Sequence, residues 1–200
     1  FVGGANMIDK VSGLRIGNDI HPQLISLLSA LADGWIPPQT LSEDEYRALR
    51  IAKENDALTG FAGFCCSFSG KYFGGYARGN DAKGNPRNYA LEQYKNLVKQ
   101  APNLKGIVWK CGSYDKLDIP PNSIIYCDPP YKDTTKYSTG GFDHEKFWAW
   151  CETKKSLMHT VYVSEYAAPP NWKVVWEKKV NNTLDKNTGA KQGTEKLFVL

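Results

Sequence analysis

Short apolar runs alternate with longer amphipathic stretches along the chain, which is the pattern of an α/β protein. β-branched and aromatic residues dominate the short runs, so these predict strands, whereas apolar residues three and four positions apart predict helices. The predicted strands are a short one ending at Asp19, then residues 107–111, 123–127, 160–166, 173–176 and 196–200. The predicted helices cover residues 22–34, 42–55 and 88–99, followed by a helix that Asp143 caps. The last two strands should pair antiparallel, with a loop over residues 181–194 between them.

Residues 123–127 are apolar and predict a buried strand of a parallel sheet. This strand is the most informative, because it runs directly into Asp128-Pro129-Pro130-Tyr131. Two successive prolines lack N–H groups and have fixed φ angles, so strand pairing stops and the backbone is stiff. A carboxylate, two carbonyls and an aromatic ring therefore follow the carboxyl end of a strand, where open α/β sheets bind ligands. Asp128 and a proline carbonyl can accept the two N–H groups of an exocyclic amine while Tyr131 stacks on its ring. The alternative is an Asp that opens a turn before a rigid linker.

This Asp-Pro-Pro-Tyr segment (Asp128–Tyr131) resembles the catalytic motif of the adenine-N6 DNA methyltransferases. The opening Phe1-Val2-Gly3-Gly4 resembles their S-adenosylmethionine motif, and phage and bacterial GATC-type adenine methylases are similar. The resemblance implies methyl transfer from S-adenosylmethionine to N6 of adenine in double-stranded DNA, with the base flipped into the pocket of the segment. It implies Asp128, Pro129, Pro130 and Tyr131 as catalytic residues, and neither a metal nor a covalent enzyme intermediate.

The fold class that the resemblance implies is a Rossmann-like α/β methyltransferase with a mixed seven-stranded sheet and a small helical lobe. The chain opens on a glycine turn with no strand before it, so we expect that the first strand is missing from this chain. Residues 1–40 and 106–200 are expected to form the catalytic core. Residues 41–105 are expected to form the lobe that recognises the target sequence.

The cofactor residues implied by the resemblance follow the predicted strands. Asp19 ends a strand shortly after the glycine turn and suits the ribose hydroxyls, although it could instead cap the next helix. In the family an acidic residue near the end of the third strand contacts the cofactor's adenine, but here Ser113 and Tyr114 stand at that place. The contact then comes from a backbone N–H or from Asp115. The expected cofactor-binding residues are Phe1, Gly3, Gly4, Asp19, Ile20, Ser113, Tyr114 and Asp128.

Residues 59–80 are rich in glycine and aromatic residues, and they include two cations. Aromatic rings and cations are what a nucleic-acid surface uses for stacking and for phosphate contact. A packed helix followed by a glycine-rich loop is the alternative, and we favour it for Phe61, Phe64 and Phe68. The expected DNA-binding residues are Lys71, Tyr72, Tyr76 and Arg78, Arg87 in the polar loop that follows, and Tyr137 in a loop over residues 132–142 that closes on the flipped base.

Composition and charge agree with an enzyme that acts on nucleic acid, but they do not indicate which reaction it performs. The net charge is +4, and residues 71–110 carry eight basic side chains against two acidic ones. Five cysteines without a CxxC pair and only three histidines argue against a zinc site and for free thiols in a reducing compartment, the cytoplasm of a bacterial or phage-infected cell. No apolar run approaches the ~20 residues of a membrane span.

Several alternatives remain open from the sequence. The acceptor could be cytosine N4 or adenine in RNA, and the chain could be a DNA-binding relative without turnover. The recognition sequence, the oligomeric state and the biological role, in restriction or in phage self-protection, are not specified.

Overall fold

A computed structural model describes residues 1–131, 141–182 and 191–200. The chain divides into two compact units. The first spans Val2–Leu117, and the second spans Asp118–Leu200 together with Phe1. We call them the N-terminal unit and the C-terminal unit.

The N-terminal unit is a helical assembly on two parallel strands. Strands β1 and β2 pair in register from Arg15 with Ile107 to Asp19 with Cys111, so their carboxyl ends lie side by side. The elements in chain order are β1 (Arg15–Asp19), α1 (Pro22–Ala32), α2 (Glu43–Ala52), α3 (Ala57–Gly60), α4 (Tyr89–Leu104) and β2 (Ile107–Cys111). A π-helical turn, Phe61–Cys65, continues α3.

Helix α1 supplies most of the apolar core of this unit. Leu27, Leu28 and Leu31 lie on one face at helical spacing and are buried, together with Phe61 and Leu104 from the elements that cover them. The close approach of α3 to α1 requires glycine, since a Cβ at Gly60 would lie 2.2 Å from the backbone oxygen of Gln23. The packing of the glycine- and aromatic-rich stretch against α1 therefore depends on the glycine at position 60.

Helix α2 begins with a capping box, which the sequence predicts because Glu45 follows Ser42 by three residues. The Ser42 hydroxyl accepts a hydrogen bond from the Glu45 N–H at 3.2 Å, and the Glu45 carboxylate accepts one from the Ser42 N–H at 2.7 Å. Such a box satisfies two otherwise unpaired N–H groups at the start of the helix. The helix ends at Ala52, three residues before the expected end.

The C-terminal unit is a four-stranded mixed sheet with one described helix. Its elements are β3 (Ile124–Cys127), α5 (His144–Ser156), β4 (Thr160–Glu165), β5 (Lys173–Asn182) and β6 (Lys191–Val199), and the strand order is β3-β4-β6-β5. Strands β3 and β4 are parallel, whereas β6 is antiparallel to both β4 and β5. Asp143 caps α5 as predicted, accepting the Lys146 N–H at 2.9 Å.

Phe147 forms the centre of the apolar packing around α5. Its side chain is 0% exposed, and the rings of Phe1, Phe142 and Trp148 lie with their centroids 5.4–5.6 Å from it. Val161 and Val163 on β4 are fully buried in the same unit. The helix is thus held to the sheet by contacts that remove large aromatic surfaces from water.

The structure corrects several expectations about the sheet. The described residues form six strands, in a two-stranded sheet of the N-terminal unit and a four-stranded sheet of the C-terminal unit, and the seven-stranded sheet stays a prediction. The expected loop over residues 181–194 is wrong at both ends, because β5 continues to Asn182 and β6 begins at Lys191. Strand β3 is not fully buried as expected: Ile124 is 76% exposed, since β3 lies at one end of the strand order.

The division into two units also differs from the expected domain boundaries. The structure separates the chain after Leu117, whereas the sequence interpretation separated residues 41–105 from the rest. Residues 41–105 pack with α1 and β2 inside the N-terminal unit. Their role in recognising a target sequence stays a prediction.

Candidate functional site

The Asp-Pro-Pro-Tyr segment follows the carboxyl end of β3 as predicted. The parallel register pairs Cys127 with Val163, so the residue after each strand emerges at the same end of the sheet. Pro129 is buried, whereas Asp128 is exposed to solvent. The prolines end the ladder and present the Asp128 carboxylate at the surface beside the end of β4.

The phenol of Tyr131 is held by side chains from two other strands. Its hydroxyl lies 2.6 Å from Ser164 Oγ on β4 and donates to Glu195 Oε1 on β6 at 2.8 Å. The Tyr166 ring packs edge-on against the Tyr131 ring, with centroids 4.8 Å apart. Ser164 and Tyr166, at the carboxyl end of β4 and just after it, therefore both contact Tyr131.

Asp128 lies in an environment that disfavours its charge. Partial desolvation, together with the negative charge of Glu195, raises the pKa of Asp128 to about 6, against 3.8 for an ordinary aspartate. A hydrogen bond from Tyr131 acts in the opposite direction, and Glu165 adds to the rise. Because water still reaches the exposed carboxylate, Asp128 remains largely ionised at neutral pH and can accept hydrogen bonds.

Burial also keeps the phenols of Tyr126 and Tyr131 protonated. Desolvation raises the pKa of Tyr126 to about 12, and Asp128 contributes to the rise. The pKa of Tyr131 is raised further by the same cause. Tyr131 is therefore a neutral ring and a hydrogen-bond donor, suited to stacking and orientation rather than to acid–base chemistry.

In the N-terminal unit, the structure brings the glycine turn and Asp19 together. Asp19 Oδ2 accepts the Gly3 N–H at 3.2 Å, and Oδ1 accepts the His21 N–H at 3.1 Å. The turn needs left-handed backbone, with φ of +49° at Gly3 and +59° at Ala5. Open space lies in front of Gly3, where an added Cβ would meet no atom within 4 Å. An exposed turn beside a carboxylate fits a ligand that carries hydroxyl groups.

Residues that follow β2 lie beside the carboxyl end of β1. The Gly112 N–H donates to the Asp19 carbonyl at 2.9 Å, which ties the two strand ends together. Ser113 donates to Asp115 Oδ1 at 2.5 Å, so the two side chains lie together just after β2. Ile20 is exposed beside Asp19. The source of the adenine contact, a backbone N–H or Asp115, stays a prediction.

The structure gives Phe1 a packing role. Its ring contacts those of Phe142 and Phe147 in the C-terminal unit, with both centroids 5.6 Å away. A contact of Phe1 with the cofactor stays a prediction.

Two of the expected DNA-binding tyrosines are engaged within the N-terminal unit. Tyr72 packs against His21 and Phe64, with centroids 4.1 Å and 4.8 Å from its own. The Tyr76 hydroxyl donates to the Leu41 carbonyl at 2.6 Å. Both side chains are partly buried, so stacking on a base would expose only part of each ring.

The expected DNA-binding cations are all exposed, but two of them pair with acidic groups. Arg78 forms a salt bridge with Glu43. Arg87 contacts Glu92, with its Nε 2.9 Å from Oε1, and lies over the Tyr89 ring. Surface ion pairs contribute little free energy, so phosphate could replace either carboxylate. Lys71 is exposed, and Tyr137 lies outside the described residues.

Sequence reasoning assigned Phe68 to the core, and that was wrong. Phe68 is 62% exposed in a 3-10 turn, Phe68–Gly70, in which Ser69 has a φ of +57°. The π-helical turn that carries Phe61 and Phe64 ends at Cys65, so the helical spacing no longer applies at Phe68. An exposed ring three residues before Lys71 is a further candidate for nucleic-acid contact.

Sequence reasoning also missed Glu195. No local pattern marks this residue, because its contact with Tyr131 depends on the antiparallel register of β6 against β4, which pairs Ser164 with Leu197. Glu195 stands between Thr194 and Lys196 along the strand, so the sequence around it indicates an ordinary exposed position.

Metal-ligating clusters and membrane-spanning helices are both absent from the residues that the structure describes. Among the residues that the structure describes, no group of three or more metal-ligating side chains could hold a metal ion. Within the same residues, no helix is both long and apolar enough to cross a membrane.

Comparison with known proteins identifies a related family. The model of the D12 class N6 adenine-specific DNA methyltransferases matches residues 59–181, more than half of the chain, and the match includes the Asp-Pro-Pro-Tyr segment. A search of curated proteins gives no match to this chain.

Proposed function

The chain belongs to the D12 class of N6 adenine-specific DNA methyltransferases, enzymes that methylate adenine in DNA, and from this premise we propose how its residues serve the reaction. The methyl donor is S-adenosylmethionine, and the acceptor is N6 of an adenine that has left the duplex. The observation that carries the proposal is the exposed Asp128 carboxylate beside a Tyr131 ring that is fixed from two other strands.

Asp128 and a carbonyl of the proline pair act on the exocyclic amine. The lone pair of an aryl amine is delocalised into the ring, which makes the nitrogen a poor nucleophile. Two acceptors that bind its N–H groups from outside the ring plane favour tetrahedral geometry and localise the lone pair. Asp128 must be ionised to accept, so its charge state controls the reaction. Tyr131 stacks on the base and holds it in place.

The glycine turn and the end of β1 suit the cofactor. Asp19 would bind the ribose hydroxyls, Gly3 allows close approach of the backbone, and Asp115 would contact the adenine. When bound, S-adenosylmethionine supplies a methyl group that is already electrophilic on its sulfonium. The contribution of the protein is therefore alignment and electrostatics rather than activation by a metal or by a covalent intermediate.

A base inside a duplex cannot reach Asp128, so the reaction requires base flipping. The exposed cations Lys71, Arg78 and Arg87 would bind phosphate, and the Phe68 ring would contact bases or fill space in the opened duplex. A chromosomal or phage DNA substrate would place the enzyme in the cytoplasm of a bacterial cell.

The test is transfer of tritium from labelled S-adenosylmethionine to duplex DNA, followed by identification of the labelled base. We expect N6-methyladenine from the unaltered protein and at least a thousandfold less from Asp128→Ala, which removes the acceptor of the amine. Asp118→Ala, a change at another exposed aspartate of the same unit, should leave the rate unchanged. Label in cytosine would refute the choice of acceptor, and an active Asp128→Ala variant would refute the mechanism.

A further inference from the structure

Three side chains from separate parts of the C-terminal unit form a closed hydrogen-bonded triangle. Tyr131 follows β3, Ser164 lies near the end of β4, and Glu195 lies on β6. The Tyr131 hydroxyl is 2.6 Å from Ser164 Oγ and 2.8 Å from Glu195 Oε1, and Ser164 Oγ is 3.3 Å from the same Glu195 oxygen. We call these three residues the tyrosine clamp.

The protons of the clamp can be assigned from its chemistry. The Glu195 carboxylate only accepts when ionised, so the Tyr131 hydroxyl donates to it. The Ser164 hydroxyl then donates to the Tyr131 oxygen, which is nearer than the glutamate oxygen. The Tyr131 hydroxyl carries one proton, which Glu195 and Asp128 can each accept, and a bond from a phenol to a carboxylate is stronger than one between neutral groups.

We propose that Glu195 is a positioning residue of the methyltransferase, which fixes the Tyr131 ring in the orientation that stacks on the target adenine. This inference rests on the proposed function. Glu195 touches neither base nor cofactor in this role and acts through the phenol alone. An unclamped Tyr131 could still turn about its side-chain torsions, so the flipped base would lose part of its alignment with the methyl donor.

The charge of Glu195 has a second effect, which supplies an independent readout. The charged and titratable groups that influence Asp128 are Glu195 on β6, Glu165 at the end of β4, Tyr126 on β3, Tyr131 and the amino group of Phe1. After desolvation, Glu195 contributes most to the raised pKa of Asp128. Glu195→Gln keeps an oxygen that can accept from Tyr131 but removes the charge, so the pKa of Asp128 should fall and the acid limb of the pH–rate profile should move to lower pH.

The test is a double-mutant cycle on kcat at pH 8, where Asp128 is ionised in every variant. Glu195→Ala and Tyr131→Phe should each lower kcat by about tenfold to a hundredfold, the range of a hydrogen bond to a charged group. The double variant should match Tyr131→Phe within about threefold, because Glu195 has nothing left to hold. Glu195→Gln should lose less than Glu195→Ala, whereas Glu177→Gln on the adjacent strand is the matched control with no effect.

The outcomes separate the clamp from the proposed function. If the losses in kcat of the two single variants multiply in the double variant, the clamp is overturned. A Glu195→Ala variant with unaltered kcat would also overturn it. If Glu195→Ala does not fold, the acid limb of Glu195→Gln decides, and a limb that does not move overturns the inference. An unaltered protein that transfers no methyl group to adenine would overturn the proposed function and the clamp together. A titration of the Asp128 carboxyl by NMR in Glu195→Gln reads the same charge effect without turnover.

Discussion

Lowering the pH from 7.5 to 5.0 is expected to slow methyl transfer about tenfold by protonating Asp128. With a pKa of about 6, roughly 97% of the carboxylate is ionised at pH 7.5 and roughly 9% at pH 5.0. The protonated carboxyl keeps one weak acceptor oxygen but no charge, so it no longer draws the amine N–H effectively. An aspartate with the ordinary pKa of 3.8 would still be roughly 94% ionised at pH 5.0, and its rate would hardly change.

The sign of the effect follows from the direction of the pKa shift. Desolvation and the nearby Glu195 charge raise the pKa of Asp128, which moves the loss of the ionised form into an experimentally convenient range. Activity should therefore be complete above about pH 7 and should fall tenfold per pH unit below about pH 5.5.

The assay is kcat/KM for duplex DNA between pH 5 and 8 at constant ionic strength, since this parameter reports ionisations of the free enzyme. Fluorescence anisotropy with the same DNA at each pH controls for weaker binding. A single acid limb with a midpoint near pH 6 supports the reasoning. A rate that stays constant down to pH 5, or a midpoint below about 4.5, would refute the environment that we assign to Asp128.

Two further predictions concern the cofactor edge and the core. Asp19→Asn should weaken the binding of S-adenosylmethionine about tenfold, measured by calorimetry, because a ribose hydroxyl loses a charged acceptor. Asp33→Asn, at the exposed end of α1, is the control and should bind the cofactor normally. Equal affinities for the two variants would contradict the ribose role. Phe147→Ala should lower the free energy of unfolding, measured by urea denaturation, by about 3–5 kcal/mol, because it leaves a cavity among the rings around α5. Leu157→Ala, at an exposed position, should change the free energy of unfolding by less than about 0.5 kcal/mol. A small loss for Phe147→Ala would mean that neighbouring rings can fill the space.

Local features of the fold were predicted correctly from the sequence because short-range interactions specify them. The capping box of Ser42 and Glu45 and the cap at Asp143 depend only on residues three positions apart. The strand before the Asp-Pro-Pro-Tyr segment follows from its β-favouring run, and the prolines end it. The family itself was identified from this segment and from the glycine turn.

Exposure within the aromatic stretch could not be predicted in the same way. The spacing of Phe61, Phe64 and Phe68 suits one helix face, but the chain turns sharply before Phe68 and exposes it. Tyr72 and Tyr76 looked available for DNA, yet long-range packing and a hydrogen bond to Leu41 engage them. Whether an aromatic ring is buried depends on the side chains that pack against it in the folded protein, and the sequence pattern does not specify them.

The sequence by itself determined the chemistry that we propose, because Asp128, the proline pair and Tyr131 are consecutive and carry their acceptors and ring together. Only the tertiary structure decided how that chemistry is tuned. Glu195 lies far along the chain from Tyr131, and the antiparallel register of β6 brings it within hydrogen-bonding distance. A shift of one residue in that register would turn the carboxylate to the other face of the sheet, since strand side chains alternate. The orientation of the ring and the raised pKa of Asp128 are therefore properties of strand pairing rather than of the motif.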